Sequence, residues 1–224
     1  VTDLGGGLMI VTIDGPAGAG KSSAARGLAE KLGFEYLDTG AMYRALTLAV
    51  LESQIDPGDE SALQGLLGTV VIEMPPGQVL LNDRDVSGSI RTTEVSNLAS
   101  SLATIKIVRE HLARLQREIG QGRDIVCEGR DQGTGVFPEA ECKFFLIADP
   151  TERAKRRQQE LQQRGEEVPL EELIRAQKER DRRDAERAIA PLRPADDAIQ
   201  LDSTSMTLEQ VIDRMVEEVN SRRD

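Results

Sequence analysis

The chain has 224 residues, of which 39% are hydrophobic, enough to bury the core of one domain with a modest insertion. It contains no run of about 18 apolar residues, so nothing reads as a membrane span. A net charge of −11 argues against non-specific nucleic-acid binding, which needs a positive field over many phosphates.

The start, Val1-Thr2-Asp3-Leu4-Gly5-Gly6-Gly7, has neither a basic opening nor an apolar stretch and reads as a flexible lead-in rather than a secretory signal. Leu8 to Ile13 is an apolar, β-branched run that ends in a glycine-rich turn, and Ser22 to Leu32 follows as a helix closed by Gly33. Strand, glycine loop and helix open a parallel α/β sheet. Phe34 to Leu37 is a second strand and Ala41 to Leu51 a helix. Between about 61 and 100 the pattern changes: Thr69 to Met74 and Gln78 to Asn82 flank a Pro75-Pro76-Gly77 turn as a hairpin, with Asp85 to Gly88 as a third short piece. Such a unit is either a substrate-binding insert or a plain surface hairpin. Beyond it, short apolar runs at Ile125 to Cys127, Phe144 to Ala148 and Ile199 to Leu201 alternate with helical stretches at Ile105 to Ile119, Thr151 to Gln163, Leu170 to Ala190 and Leu208 to Val219. Parallel strands need such crossovers, so the expected fold is α/β: a five-stranded parallel sheet flanked by helices, with a small antiparallel insert. Cys127 and Cys142 lie in or beside the strand-like runs without CxxC or histidine partners, and read as buried reduced thiols of a cytoplasmic protein.

Gly15-Pro16-Ala17-Gly18-Ala19-Gly20-Lys21-Ser22 fits G-x-x-x-x-G-K-[ST] at every fixed position, after a strand and before a helix. Glycines let the backbone curl its N–H groups inward onto phosphate oxygens, and the helix start adds its positive end. Lys21 is expected to reach the β- and γ-phosphates of ATP, Ser22 to hold Mg²⁺, and Ser23 to complete the loop. The guanine-reading N-K-x-D of a GTPase switch occurs nowhere in the chain. Arginines outnumber lysines twenty-two to six. An arginine fork grips phosphate through two bonds, although genomic bias explains the skew as well until placement decides.

The order of motifs resembles the bacterial cytidylate kinases. Ile13-Asp14-Gly15 through Ser22 carries the likeness first, then Leu37-Asp38-Thr39-Gly40-Ala41-Met42-Tyr43-Arg44, Val86-Ser87-Gly88, Ile90-Arg91-Thr92 and Glu94-Val95. Glu128-Gly129-Arg130-Asp131-Gln132-Gly133-Thr134, Lys178-Glu179-Arg180-Asp181, Arg183-Asp184, Ala190-Pro191-Leu192 and Leu201-Asp202-Ser203-Thr204 continue it. The resemblance implies one P-loop kinase domain over 8–224, with core 8–60 and 101–224, an acceptor-binding insert at about 61–100 and a short helical lid at about 151–169. It implies Mg²⁺-dependent transfer from ATP to CMP or dCMP. By position, Thr39, Tyr43, Arg44, Arg130 and Arg187 would hold the acceptor's phosphate. Ser100, Arg109 and Asp131 would face the cytosine, and Arg180 and Asp184 the sugar. Lid arginines Arg153, Arg156 and Arg157 would lie over the ATP phosphates, and Lys21, Arg130, Arg187, Arg153 and Arg157 would be the catalytic set. Thr39 stands where some relatives have serine, and either supplies a hydroxyl. A monomer is expected, with no nucleic-acid or membrane partner.

The chemistry agrees independently. An acceptor that is already a phosphate arrives ionised, because its second pKa lies near 6, so no general base is required. The lone histidine, His111, sits between Glu110 and Leu112 on an amphipathic pattern and reads as an ordinary helix residue. Arg180, Arg183, Asp184 and Arg187 fall on one helical face. By itself that face is as readily a solvated one. Another nucleoside monophosphate kinase, for UMP or AMP, and a non-catalytic nucleotide-binding module are the alternatives.

Overall fold

A computed structural model of the chain describes residues 8–163 and 165–223. The lead-in 1–7 lies outside the described residues. The chain divides into two compact units, one built from the chain up to Tyr36 and again from Gly122 onward, the other from Leu37–Gln121.

In the first unit, β1 (Ile10–Asp14) leads through the glycine loop into α1 (Lys21–Leu32). Gly33 adopts φ 70° and donates its N–H back to the last turn, which is why the helix stops there. β2 (Glu35–Asp38) follows. The chain returns to this unit as β6 (Ile125–Glu128), β7 (Cys142–Ile147), α6 (Pro150–Gln162), α7 (Leu170–Glu186), β8 (Ile199–Asp202) and α8 (Leu208–Asn220). The strand order is β2-β6-β1-β7-β8, with Ile13 opposite Glu128 on one side and Phe144 on the other. β6 and β7 are buried at nearly every position, which explains why they read as continuous apolar runs rather than alternating ones. Val11, Ile13, Leu28, Phe144, Leu146 and Met215 form the centre of the core. Both cysteines are buried and free. α6 and α7 pack around a small core of Ala154, Leu161 and Leu173.

In the second unit, α2 (Thr39–Glu52) begins at the N-cap Asp38, whose side chain accepts the Ala41 N–H. α3 (Glu60–Leu67), the strands β3 (Ile72–Glu73), β4 (Leu80–Leu81) and β5 (Arg84–Asp85), α4 (Thr93–Leu102) and α5 (Lys106–Gly120) complete it. The antiparallel sheet expected from the sequence is present, in the order β3-β4-β5 with Ile72 opposite Leu81. Its strands are only two residues each, and the expected hairpin arms shrink accordingly.

Helices α3 and α4 were not expected from the pattern, yet each has a side-chain cap, Asp59 onto Ala62 N–H and Thr92 onto Val95 N–H. The helix expected over 170–190 ends instead at Glu186, and Arg187 is already extended at ψ 138°. Pro191 is incompatible with a helix continued through Ala190, which takes the left-handed φ of 50°.

Phe144 is among the largest fully buried side chains. Phe144→Ala should lower the free energy of unfolding by about 3–5 kcal/mol, measured by urea denaturation with the slope unchanged.

Candidate functional site

The glycine loop between β1 and α1 is shaped by what it cannot hold. Gly15 has φ +148°, and a Cβ there would fall 2.0 Å from the Leu146 carbonyl oxygen. Gly18 and Gly20 also have positive φ, at +76° and +91°. Three of the loop's carbonyls have side-chain donors. Lys21 Nζ donates to Pro16 O at 2.8 Å, Arg153 to Ala17 O at 2.9 Å, and the Ser203 hydroxyl and Arg156 face Ala19 O at 3.1 and 3.5 Å. A glycine loop of this kind can present its N–H groups to an anion. Ser22 and Ser23 open α1 and are exposed.

Lys21 is buried, and its ammonium is pulled down to about 7, first by burial and then by the charges of Arg130 and Arg180, against Glu128 and Asp14. Lys21, expected at the ATP phosphates, thus lies within electrostatic reach of Arg130, expected at the acceptor's phosphate, and of Arg180, expected at the sugar. Arg130 donates through Nε to Asp184 Oδ2 at 3.0 Å and also to Gly129 O. Arg187 NH2 stands 3.9 Å from Asp131 Oδ1. Burial alone would raise Asp184, but Arg130, helped by Arg180 and Arg187, holds its carboxyl below the ordinary value. Arg180 and Asp184 lie on α7, with Asp184 buried and Arg183 exposed. Arg187 caps that helix instead of continuing its face.

The three lid arginines on α6 do different things. Arg153 is 3% exposed, and its guanidinium binds Ala148 O, Ala17 O and Asp181 at 3.0, 2.9 and 2.6 Å. Arg156 donates to Ser203 O at 2.8 Å. Arg157 pairs with Glu160 across solvent at 3.0 Å.

In the second unit, Thr39 is the buried first residue of α2, and Tyr43 and Arg44 come one turn later. Arg44 NH2 lies 3.2 Å from Asp38 Oδ2, and Gly40 makes the space: a Cβ there would stand 3.2 Å from Arg44 NH1. Ser100 is on α4, and Arg109 on α5 is buried and donates to Ala103 O at 3.1 Å. His111, also on α5, faces Arg114 at 3.4 Å, and its imidazolium is disfavoured first by burial and then by that guanidinium.

A family model described as cytidylate kinase matches residues 11–221. The chain belongs to the cytidylate kinase family. It is 48% identical to the cytidylate kinase of Solibacter usitatus, over 96% of this chain and 93% of that one. It is 47% identical to the cytidylate kinase of Carboxydothermus hydrogenoformans, over 96% and 99%. Among solved structures, a protein of Eubacterium ventriosum at 12% identity shares the fold with a TM-score of 0.52, over 95% of this chain and 99% of that one.

Several residues around these groups escaped the sequence reading. Asp14 and Glu128 are buried acids at the ends of β1 and β6, and Glu128 accepts the Tyr36 hydroxyl at 2.7 Å. Asp14, Glu128, Ser203 and Asp38 all lay inside motifs that carried the family likeness but had no role. Nothing local distinguishes them, because their partners lie elsewhere in the chain or, for Asp38, one helical turn on.

Since Lys21 falls from 10.5 unfolded to about 7 folded, the folded chain binds fewer protons than the unfolded one in that window. Its burial therefore costs stability in full below about 7, and the cost is relieved as pH climbs towards 10.5. A bound phosphate reverses the shift. Calorimetry at pH 8.5 in buffers of differing ionisation enthalpy should show uptake approaching about one proton per ATP, and Lys21→Met should abolish it.

Proposed function

We propose that this chain transfers the γ-phosphoryl group of ATP to CMP, and to dCMP as a second acceptor, giving ADP and CDP or dCDP. Membership of the cytidylate kinase family supports this. The single observation that carries it is the meeting of a phosphate-loop lysine with the arginines paired to Asp184 and Asp131, cations that incoming anions can take over. The reading has one kinase domain over 8–224 with an acceptor-binding insert at about 61–100 and a lid at about 151–169. It has the chain working as a cytoplasmic monomer without nucleic-acid or membrane partners. Among the described residues, no helix is long and apolar enough to cross a membrane.

In the proposed reaction, loop amides and Lys21 hold the ATP phosphates. Mg²⁺ fits the chemistry of Ser22, whose exposed hydroxyl at the start of α1 would add one hard oxygen to those of the nucleotide. The bound ion would supply charge neutralisation at the β- and γ-phosphates. Arg153 and Arg156 brace the outer side of the loop, leaving Arg157 as the lid arginine we assign to the ATP phosphates. Arg130 and Arg187 exchange the carboxylates of Asp184 and Asp131 for the acceptor's phosphate and aim one of its oxygens in line. Thr39, Tyr43 and Arg44 are assigned to the same phosphate. The acceptor is ionised on arrival, and His111, turned to Arg114, has no proton to take. Arg180 and Asp184 are assigned to the sugar, Ser100, Arg109 and Asp131 to the base. An arginine facing N3 and O2 with a carboxylate accepting from N4 suits cytosine. Uracil would set acceptor against acceptor and donor against donor.

An ADP-release assay with CMP, dCMP, UMP and AMP tests the reading. CMP should exceed UMP in kcat/KM by about 10–200-fold per mismatched contact. Equal values for CMP and UMP would overturn the base assignment, and turnover of AMP alone would overturn the whole. Arg130→Ala should lower CMP turnover by about 10²–10³ while ATP affinity holds. A selective loss of ATP binding would show the two phosphate sites to be exchanged.

A further inference from the structure

β1 and β6 run in register up to Ile13 and Glu128, where Gly129 N–H closes the ladder on Ile13 O at 3.1 Å. Past this point the two chains part. β1 enters the phosphate loop and β6 enters the segment Gly129–Gly133, which carries Arg130 and Asp131. One side chain bridges them again. Asp14 Oδ1 accepts the N–H of Gln132 at 2.9 Å and its Oδ2 the N–H of Gly133 at 2.8 Å, both bonds buried and spanning more than a hundred residues. Two consecutive amides converge on one side chain, and a carboxylate alone offers two acceptor oxygens with no donor.

The surroundings are built to this tie. Gly133 presses onto the strand ends, where a Cβ would lie 3.0 Å from Thr12 Oγ1 and 3.2 Å from Lys143 Cδ. From Gln132 the chain turns through a π-helical turn, Gln132–Val136, and Asp131 O accepts the N–H groups of Gly135 and Val136 at 2.8 and 3.2 Å. A Cβ on Gly135 would come within 2.9 Å of Asp131 Oδ2. The Asp131 side chain therefore occupies a place left open for it, directly before the two amides that Asp14 holds. On the other side, the residue after Asp14, Gly15, packs closely on Leu146 O, where a Cβ would fall at 2.0 Å.

We propose that Asp14 is a positioning residue, whose carboxylate ties the segment Arg130–Gly133 to the root of the phosphate loop and thereby sets Asp131 toward the base of the acceptor nucleotide. This rests on the assignment of CMP as acceptor. Burial pushes the Asp14 carboxyl up to about 6 in spite of the two amides, so the tie is kept at a cost to the charged form.

Asp14→Asn tests this, since an asparagine turns an NH2 group against one of the two amides. In the folded variant, KM for CMP should rise about tenfold with KM for ATP changed less than about twofold, and the CMP-over-UMP ratio of kcat/KM should fall about tenfold. Unchanged CMP parameters, or parallel losses for ATP and CMP, overturn the proposal. If Asp14→Asn does not fold, Asp14→Glu, which keeps both oxygens at a longer reach, should give the same split, and its absence overturns the proposal equally. Amide exchange in the wild-type enzyme is an independent check: strong protection of Gln132 and Gly133 is expected, and rapid exchange removes the tie. Should wild-type enzyme run alongside make no CDP, it is the functional reading that fails, while the amide exchange still judges the tie.

Discussion

For a loop of backbone to bind phosphate, its N–H groups have to converge, and peptide geometry then forces carbonyls to point away into the protein. Those carbonyls cannot be left bare, because a buried unpaired acceptor costs about 1–3 kcal/mol. Everything behind the phosphate loop answers that constraint. Lys21 folds back onto Pro16 O, Arg153 reaches Ala17 O from α6, and Ser203 reaches Ala19 O from the end of β8. Arg153 also binds Asp181, so the same guanidinium fixes α7, the helix that carries Arg180 and Asp184. Holding the loop open and placing the acceptor side chains of the first unit are in this sense one packing problem.

The charges follow a second logic. Each arginine expected at the acceptor's phosphate that has a described ion pair stands beside a carboxylate: Arg130 beside Asp184, Arg187 beside Asp131, Arg44 beside Asp38. A chain of net charge −11 thus keeps its guanidinium groups from repelling one another while retaining a set of donors that a phosphate can take over. Partnering does not bring the energies to zero. Lys21 and Asp14 help each other electrostatically, yet burial outweighs that help at both and moves each towards its neutral form. Any anion that reached Lys21 would favour its charged form, the form that the fold alone disfavours.

How much of this was legible in the sequence depended on distance along the chain. The phosphate loop, its strand and its helix are local, and glycines at positive φ can be read directly as glycines. The parallel sheet was legible from apolar runs because β6 and β7 are buried on both faces. The insert was read as mostly strand because β-branched residues at 69–72 and the Pro75-Pro76-Gly77 turn outweighed two caps, Asp59 and Thr92, each of which starts a helix. Arg187-Ala188-Ile189-Ala190 offers no helix breaker before Pro191, so nothing in the pattern marked Glu186 as the end of α7. Consequently Arg187, expected on the face of Arg180 and Asp184, comes to the same group of charges from an extended segment. Arg153 was assigned to ATP by position alone, and only the fold puts three protein acceptors around it.

The ties that remained invisible are of one kind. Asp14 with Gln132 and Gly133, Arg153 with Ala17 and Arg156 with Ser203 each join segments that are neighbours only because β6, β7 and β8 end at the same edge of the sheet as β1. In a parallel sheet every strand delivers its C-terminal end to that edge, so each successive crossover adds another loop to the same place. Side chains at strand ends therefore meet partners set by topology, and their residue types become interpretable once strand order is known. Asp14 illustrates the consequence. In sequence it is one acid before a glycine, whereas beside β6 it is the one position from which a carboxylate can catch the chain as it leaves the ladder and turns towards the nucleotide.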